Sequence, residues 1–187
     1  MLVDSIEYKN IVFGSDKLPK AEYENCSFIH VDFSEADLKE YKFIDCTFTD
    51  CNLSLAKLNN TSIQDTRFSA CKMIGLRFDF CNDFNLSFNF KQCILNHSSF
   101  YAKKIRKTSF LQSSLQEVDF TDTDLQESTI IECDLLNAHF EGTNLEKVDF
   151  DQSINISIDP ELNNIKLAKF NLETLPGLLL KHKIKIK

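Results

Sequence analysis

The sequence has no tryptophan, four glycines and three prolines in 187 residues. An all-β protein built on tight hairpins uses more of both turn residues, so the chain must change direction by some other repeated device. No apolar run reaches the roughly 18 residues of a membrane-spanning helix. Acids stand at Asp4 and Glu7, where a secretory signal would be basic and then apolar. These absences predict a soluble, cytoplasmic protein with no membrane association.

The seven cysteines, at 26, 46, 51, 71, 81, 93 and 133, are odd in number and form no C-x-x-C pair. Neither a disulfide framework nor a tetrahedral zinc site is supported, and a reduced compartment is expected. The histidines at 30, 97, 139 and 182 show no nucleophile pairing and no metal-ligand spacing, and four glycines leave no phosphate-binding loop. The expectation is a non-enzyme with no catalytic residue, metal or cofactor. A net charge of −7 argues against direct nucleic-acid binding by the chain as a whole.

What is present is phenylalanine and a period. Hydrophobic residues make up 43% of the chain, with 17 Phe, which suits one domain with a packed core. A large apolar residue recurs at every fifth position from Phe13 through Leu18, Tyr23, Phe28 and Phe33 to Phe78, and again from Leu95 through Phe100 and Ile105 to Phe150. Two residues before each centre stands a small or β-branched residue, such as Cys26, Val31, Ala36, Cys46, Thr123 or Val148. On an extended backbone a spacing of two puts both on one side. A helix turns about 500° in five residues, so its apolar positions would wander around its surface. The pattern is that of a repeat.

These residues resemble the pentapeptide repeat family, whose unit A(D/N)LXX appears here as ADLKE at 36–40, CNLSL at 51–55, TDLQE at 123–127, CDLLN at 133–137 and TNLEK at 143–147. The resemblance covers roughly residues 11–157. It implies an all-β solenoid, a right-handed quadrilateral β-helix with one pentad per side and four pentads per coil. Each inward side chain would then sit above the one four pentads earlier, so Cys26 stacks with Cys46 and Cys51 with Cys71, as small core hydrophobes. Residues 1–12 are expected to form an N-terminal cap strand, 13–157 the β-helix, with its first regular coil near Ala21, and 158–187 a C-terminal cap.

Three places depart from the period. Between Phe78 and Leu95 the register moves by two and Asp83 would fall at an inward centre, so a bulge or loop is expected within 79–90. KKIRK at 103–107 puts Lys103 at an inward position, where the backbone deviates or the side chain snorkels outward. Tyr41 is large for its small-residue slot. In the tail, Asp159 and Pro160 suit a helix start and Leu175 to Leu180 a short apolar helix, which the resemblance extends to a C-terminal homodimer centred on Leu175, Leu178, Leu179 and Leu180.

Residues 117–151 hold 11 carboxylates against one base, Lys147: Glu117, Asp119, Asp122, Asp124, Glu127, Glu132, Asp134, Glu141, Glu146, Asp149 and Asp151. Qnr-type quinolone-resistance proteins and microcin-immunity proteins of this family are DNA mimics, and the resemblance implies that these acids bind a type II topoisomerase. Two readings stay open: a DNA mimic protecting gyrase, and a scaffold or regulator binding another protein. Asp119, Asp124, Asp134 and Asp149 stand where the family unit expects Asp or Asn, for corner hydrogen bonds. Asp122 and Glu127 stand at a position the unit leaves free, which makes them the more informative acids.

Overall fold

The computed structural model describes residues 1–13 and 18–185; Asp16 and the end of the KIKIK alternation lie outside them. The strands are short, parallel and offset by one coil of four pentads. On the first side of the coil β1 (Leu2–Asp4), β3 (Glu22–Glu24), β5 (Lys42–Ile44) and β7 (Ser62–Gln64) stack in that order. On the second side β2 (Glu7–Lys9), β4 (Ser27–Ile29), β6 (Thr47–Thr49), β8 (Thr66–Ser69), β9 (Phe88–Lys91), β10 (Ser109–Leu111) and β11 (Thr129–Ile131) do the same. The third and fourth sides are joined by single bridges, such as Asp32 to Asn52 and Asp119 to His139. The right-handed quadrilateral β-helix that the resemblance implies is what forms.

The turning device is the residue two places after each centre, held in the left-handed region. Asn25, His30, Glu35, Glu40, Asp45 and Asp50 have φ between 52° and 62°, and Gly75 and Gly142 occupy the same place in their pentads. A non-glycine residue there costs of order 1 kcal/mol, which the neighbouring coils offset by pairing. At such a corner the N–H of Asp50 reaches the Ser69 carbonyl at 3.0 Å. Glycine is therefore scarce because most corners are built without it.

Two stacks of rings fill the interior. Along the second side Tyr8, Phe28, Phe48, Phe68, Phe90 and Phe110 follow one another with centroids 4.6–5.4 Å apart. Along the fourth side Phe78, Phe100, Phe120 and Phe140 are spaced 4.5–5.3 Å. Offset parallel rings at one coil spacing combine area burial with favourable ring geometry.

The small slot does more than make room. The Thr61 hydroxyl donates to the Leu38 carbonyl at 2.7 Å, Thr123 to Phe100 at 2.8 Å and Ser153 to Ile130 at 2.7 Å. Each acceptor is the carbonyl of an inward centre one coil below. The thiols of Cys46, Cys51, Cys71 and Cys133 donate to the equivalent carbonyls at 3.3–3.5 Å. All seven cysteines are free and buried. Six of them, all but Cys81, satisfy a carbonyl as well as fill space. Burial pushes the thiol of Cys46 up to about 12 and that of Cys133 up to about 11.

The regular region is longer than the period suggested. Leu2, Val3 and Asp4 already pair with Glu22, Tyr23 and Glu24, so the first coil starts at the N-terminus and not near Ala21. Val3 and Tyr8 are inward centres that continue the period backward from Phe13. At the other end Asn144 pairs with Asn164 and Asp149 with Lys169, beyond the expected end at residue 157. Phe170 stacks on Phe150 at 5.0 Å. The tail is also different from the expectation: Asp159 and Pro160 open a turn rather than a helix, and the apolar stretch forms two 3-10 turns, Leu175–Leu178 and Leu180–His182. Gly177 lies flat on the last coil, where a Cβ would collide with the Ile156 carbonyl oxygen.

Tyr41 fits because its hydroxyl donates to the Leu18 carbonyl at 2.8 Å while its ring lies parallel to Tyr23. No helix among the described residues is long and apolar enough to cross a membrane.

Candidate functional site

The two mid-chain departures are one structure. Thr47 pairs with Arg67 and Phe90 with Phe110 at the regular offset, but Phe68 pairs with Phe90, a longer step that skips two positions. The two extra residues are accommodated between a 3-10 turn at Phe78–Phe80 and β9. Asp83 sits in this excursion with its side chain in solvent, not in the core. Lys103, one regular coil later, is buried instead of snorkelling out. Its ammonium donates to the Cys81 carbonyl at 2.9 Å and to Asp83 Oδ1 at 2.5 Å. The lysine stem fills the slot that the shifted register leaves large, and the ammonium ties down the loop. Phe80 and Phe84 are left exposed on it, with the Arg77 guanidinium 4.6 Å above the Phe80 ring.

Charge is banded along the rod. Residues 51–116 carry Lys57, Arg67, Lys72, Arg77, Lys91, Lys103, Lys104, Arg106 and Lys107 against Asp65, Asp79 and Asp83, a net of +6. Residues 117–157 carry the 11 carboxylates against Lys147, a net of −10. Residues 1–50 sum to −6 and residues 158–187 to +3. The 11 acids of residues 117–151 thus occupy about two coils, bounded on either side by basic stretches.

Within that collar the carboxylates sort by backbone role. Asp119, Asp124, Asp134 and Asp149 each accept the N–H two residues on, from Thr121, Gln126, Leu136 and Asp151, at 2.9–3.2 Å. These Asx turns close the pentad corner, so those four have a structural task. Glu117, Asp122, Glu127 and Glu132 are left-handed corner residues with φ of 53–61°. The position is not free in its backbone: Asp tolerates this region well, whereas Glu has no local reason to be there. Glu141, Glu146 and Asp151 follow their centres directly.

Neighbouring coils neutralise part of the collar. Arg106 meets Asp124 at 2.7 Å, Lys147 and Lys107 flank Glu127 at 3.2 and 3.8 Å, Lys166 reaches Glu146 at 3.9 Å and Lys169 meets Asp149 at 2.9 Å. Lys147 beside Glu127 holds its carboxyl below the usual range, and Asp149 raises Lys169. These pairs line the first and second sides. The cluster at 103–107 is therefore largely spent on the collar and the loop.

Seven acids form no ion pair with a lysine or arginine among the described residues: Glu117, Asp119, Asp122, Glu132, Asp134, Glu141 and Asp151. Glu117 faces His97 at 3.1 Å and Glu132 accepts from Gln112 at 2.8 Å. At Asp134 burial acts to raise the pKa, but hydrogen bonds from Asn155 at 2.7 Å, Gln116 at 2.6 Å and the Leu136 N–H outweigh it and hold the carboxyl low. Asp122 lies over Gly142, where a Cβ would collide with its Oδ1. Asp122 and Glu141 have no side-chain partner among the described residues and point to solvent at the corner between the fourth and first sides.

The four leucines expected at an end contact do not act alike. Leu178 packs on the protein's own core, while Leu175, Leu179 and Leu180 are exposed.

Residues 21–89 and 83–150 match the family described as the pentapeptide repeat region. Two solved structures are similar over almost the whole chain. A trypsin-treated variant of QnrB1, titled a plasmid-mediated fluoroquinolone resistance protein, is 18% identical with a TM-score of 0.54, covering 98% of this chain and 99% of that one. Full-length QnrB1 is 18% identical with a TM-score of 0.50, covering 98% and 100%. At this identity the likeness is one of fold. No curated protein sequence matches the chain.

Proposed function

The chain belongs to the pentapeptide repeat family, and on that premise we propose that it is a non-enzymatic docking rod whose acidic collar over residues 117–151 enters a basic groove on a protein partner. The observation that carries this reading is the set of seven carboxylates left without a lysine or arginine among the described residues, in a region that holds one base. A groove shaped for duplex DNA, with its one negative charge per about 1.7 Å, would attract such a polyanion. A type II topoisomerase is accordingly the first partner to test, and QnrB1, with the same fold, is titled a fluoroquinolone resistance protein. The exposed Leu175, Leu179 and Leu180 are the proposed end-to-end homodimer contact, with Leu178 retained inside.

The basic stretch at residues 51–116 favours a second reading, a scaffold for an unrelated protein. Mimicry along the full rod would press its nine cations into the same basic groove, so the duplex-like length is limited to the collar.

Gyrase supercoiling and its protection from a quinolone or a gyrase-poisoning peptide separate the two. Protection that is lost on charge reversal at Asp122, Glu132 and Glu141, with folding intact, supports the topoisomerase partner. Absence of any effect on gyrase removes that partner and leaves the scaffold.

A further inference from the structure

We propose that the fourth side of the rod is a lateral self-association surface, on which two copies lie antiparallel with the basic stretch of each against the acidic collar of the other. The contact is separate from the tail leucines and does not rest on the partner proposed above.

The fourth side presents a column of outward residues one coil apart: Lys57, Arg77, Ser99, Asp119 and His139. Tyr101 stands beside Ser99 and Glu141 beside His139. Successive rungs are about 4.8 Å apart. Over these five rungs the charge changes about Ser99: Lys57 and the Arg77–Asp79 pair lie below it, and Asp119, with Glu141 beside His139, lies above; Asp37, the next rung down, lies outside the span.

That antisymmetry is what a closed two-fold contact needs. A two-fold axis lying between two such faces at the Ser99 rung reverses the rod direction and keeps the columns aligned. Arg77 then stands opposite Asp119 of the partner subunit. Lys57 stands opposite the rung that carries Glu141 of the partner subunit. Each pairing occurs twice, and Tyr101 meets Tyr101 of the partner subunit on the axis.

The side chains are available for this. Lys57 and Glu141 form no ion pair in their own chain among the described residues; Asp119 forms none either, though it accepts from the Thr121 N–H and the Ser99 hydroxyl, and Arg77 keeps its bidentate pair with Asp79 at 2.6 and 2.8 Å. Tyr101 and Phe80 are each 48% exposed, and Phe84, on the adjoining loop, is 71% exposed. An apolar centre flanked by complementary charges is the anatomy of a specific interface. A parallel arrangement would set like charges on like.

Sedimentation velocity on the full chain tests the contact at about 10 mM and about 1 M salt, where the screening length falls from about 30 Å to about 3 Å. The low-salt species should have twice the mass of the high-salt species where the latter is a monomer; where it is an end-to-end dimer, the two two-fold contacts together do not close, and the low-salt mass should instead grow with protein concentration. Lys57→Glu and Glu141→Lys, both at exposed positions without an ion pair, should each weaken the low-salt association about tenfold or more. The two combined should restore it, because the charges are exchanged across the axis. Far-UV circular dichroism checks the fold of each variant. A mass independent of salt, or a combined variant that associates no better than either single one, overturns the proposal.

Discussion

The coil over residues 83–104 and the coil above it, 105–124, enclose the same square core with different materials. The upper one is self-consistent. Ile105, Phe110, Leu115 and Phe120 are buried on its four sides, its slots hold only Thr108, Ser113, Val118 and Thr123, and the Ser113 and Thr123 hydroxyls each donate to a nearby carbonyl. The lower one carries two extra residues and cannot use the rule. It closes with a lysine where a small residue belongs, its ammonium bonded to the Asp83 carboxylate and the Cys81 carbonyl. A repeat tolerates an insertion when a single long amphipathic side chain can fill the enlarged slot and satisfy what the insertion exposes.

Removing packing from the regular region should cost most. Phe120→Ala leaves a void between Phe100 and Phe140, 5.3 and 5.2 Å away, and should lower stability by about 3–5 kcal/mol in urea unfolding. At the irregular coil, Lys103→Ala strands the Cys81 carbonyl and should cost about 1–3 kcal/mol. Hydrogen exchange should then rise at 79–90 before it rises elsewhere. If the loss of protection is spread evenly along the rod, the two coils are not held independently.

The slot residues give a finer contrast. Cys133→Ser keeps a donor for the Phe110 carbonyl and should stay within about 1 kcal/mol of the parent. Cys133→Val fills the space but loses the donor, and should be the less stable of the two by about 0.5–1.5 kcal/mol. Equal stabilities would return the cysteines to plain packing.

The smallest effect lies in the acid limb. The folded Asp134 pKa is depressed, so its contribution is fully present above the unfolded value of about 4 and is lost as pH falls through the lower folded value. The difference in unfolding midpoint between the parent and Asp134→Asn should therefore shrink on going from neutral pH to below that range.

Most of the architecture is legible in the spacing of five, because one side of a quadrilateral coil is one pentad long. The period also runs further than its stretch from Phe13 to Phe150, interrupted once within 79–90, suggests. Val3 and Tyr8 continue it backward from Phe13, and Ile165 and Phe170 stand one coil after Leu145 and Phe150, though Asn155 and Pro160 interrupt the centres between. Asp83 and Lys103 are likewise one coil apart, which pairs the two anomalies once stacking is assumed. The left-handed corner could not be seen, because Glu, Asp, Asn, His and Leu all occupy it and only the backbone gives it away. Nor could the neutralised acids be told from the free ones: Asp124 and Asp134 have the same place in the unit, and only the coil beneath decides that Arg106 reaches the first. The leucine tail read as helical from composition, yet Gly177 and the surface of the last coil hold it in shorter turns.

The ring stacks have an optical consequence. The chain has no tryptophan, and its four tyrosines are unevenly placed: Tyr8, Tyr23 and Tyr41 are neighbours at one end, with centroids 5.9 and 6.3 Å from Tyr23. The fourth, Tyr101, sits at mid-rod. Near-ultraviolet emission of the protein is thus a reporter of its first coils. A solenoid that lost its last coils in stages would keep most of that signal, and unfolding followed by tyrosine alone would register the final event of a process that began at the other end.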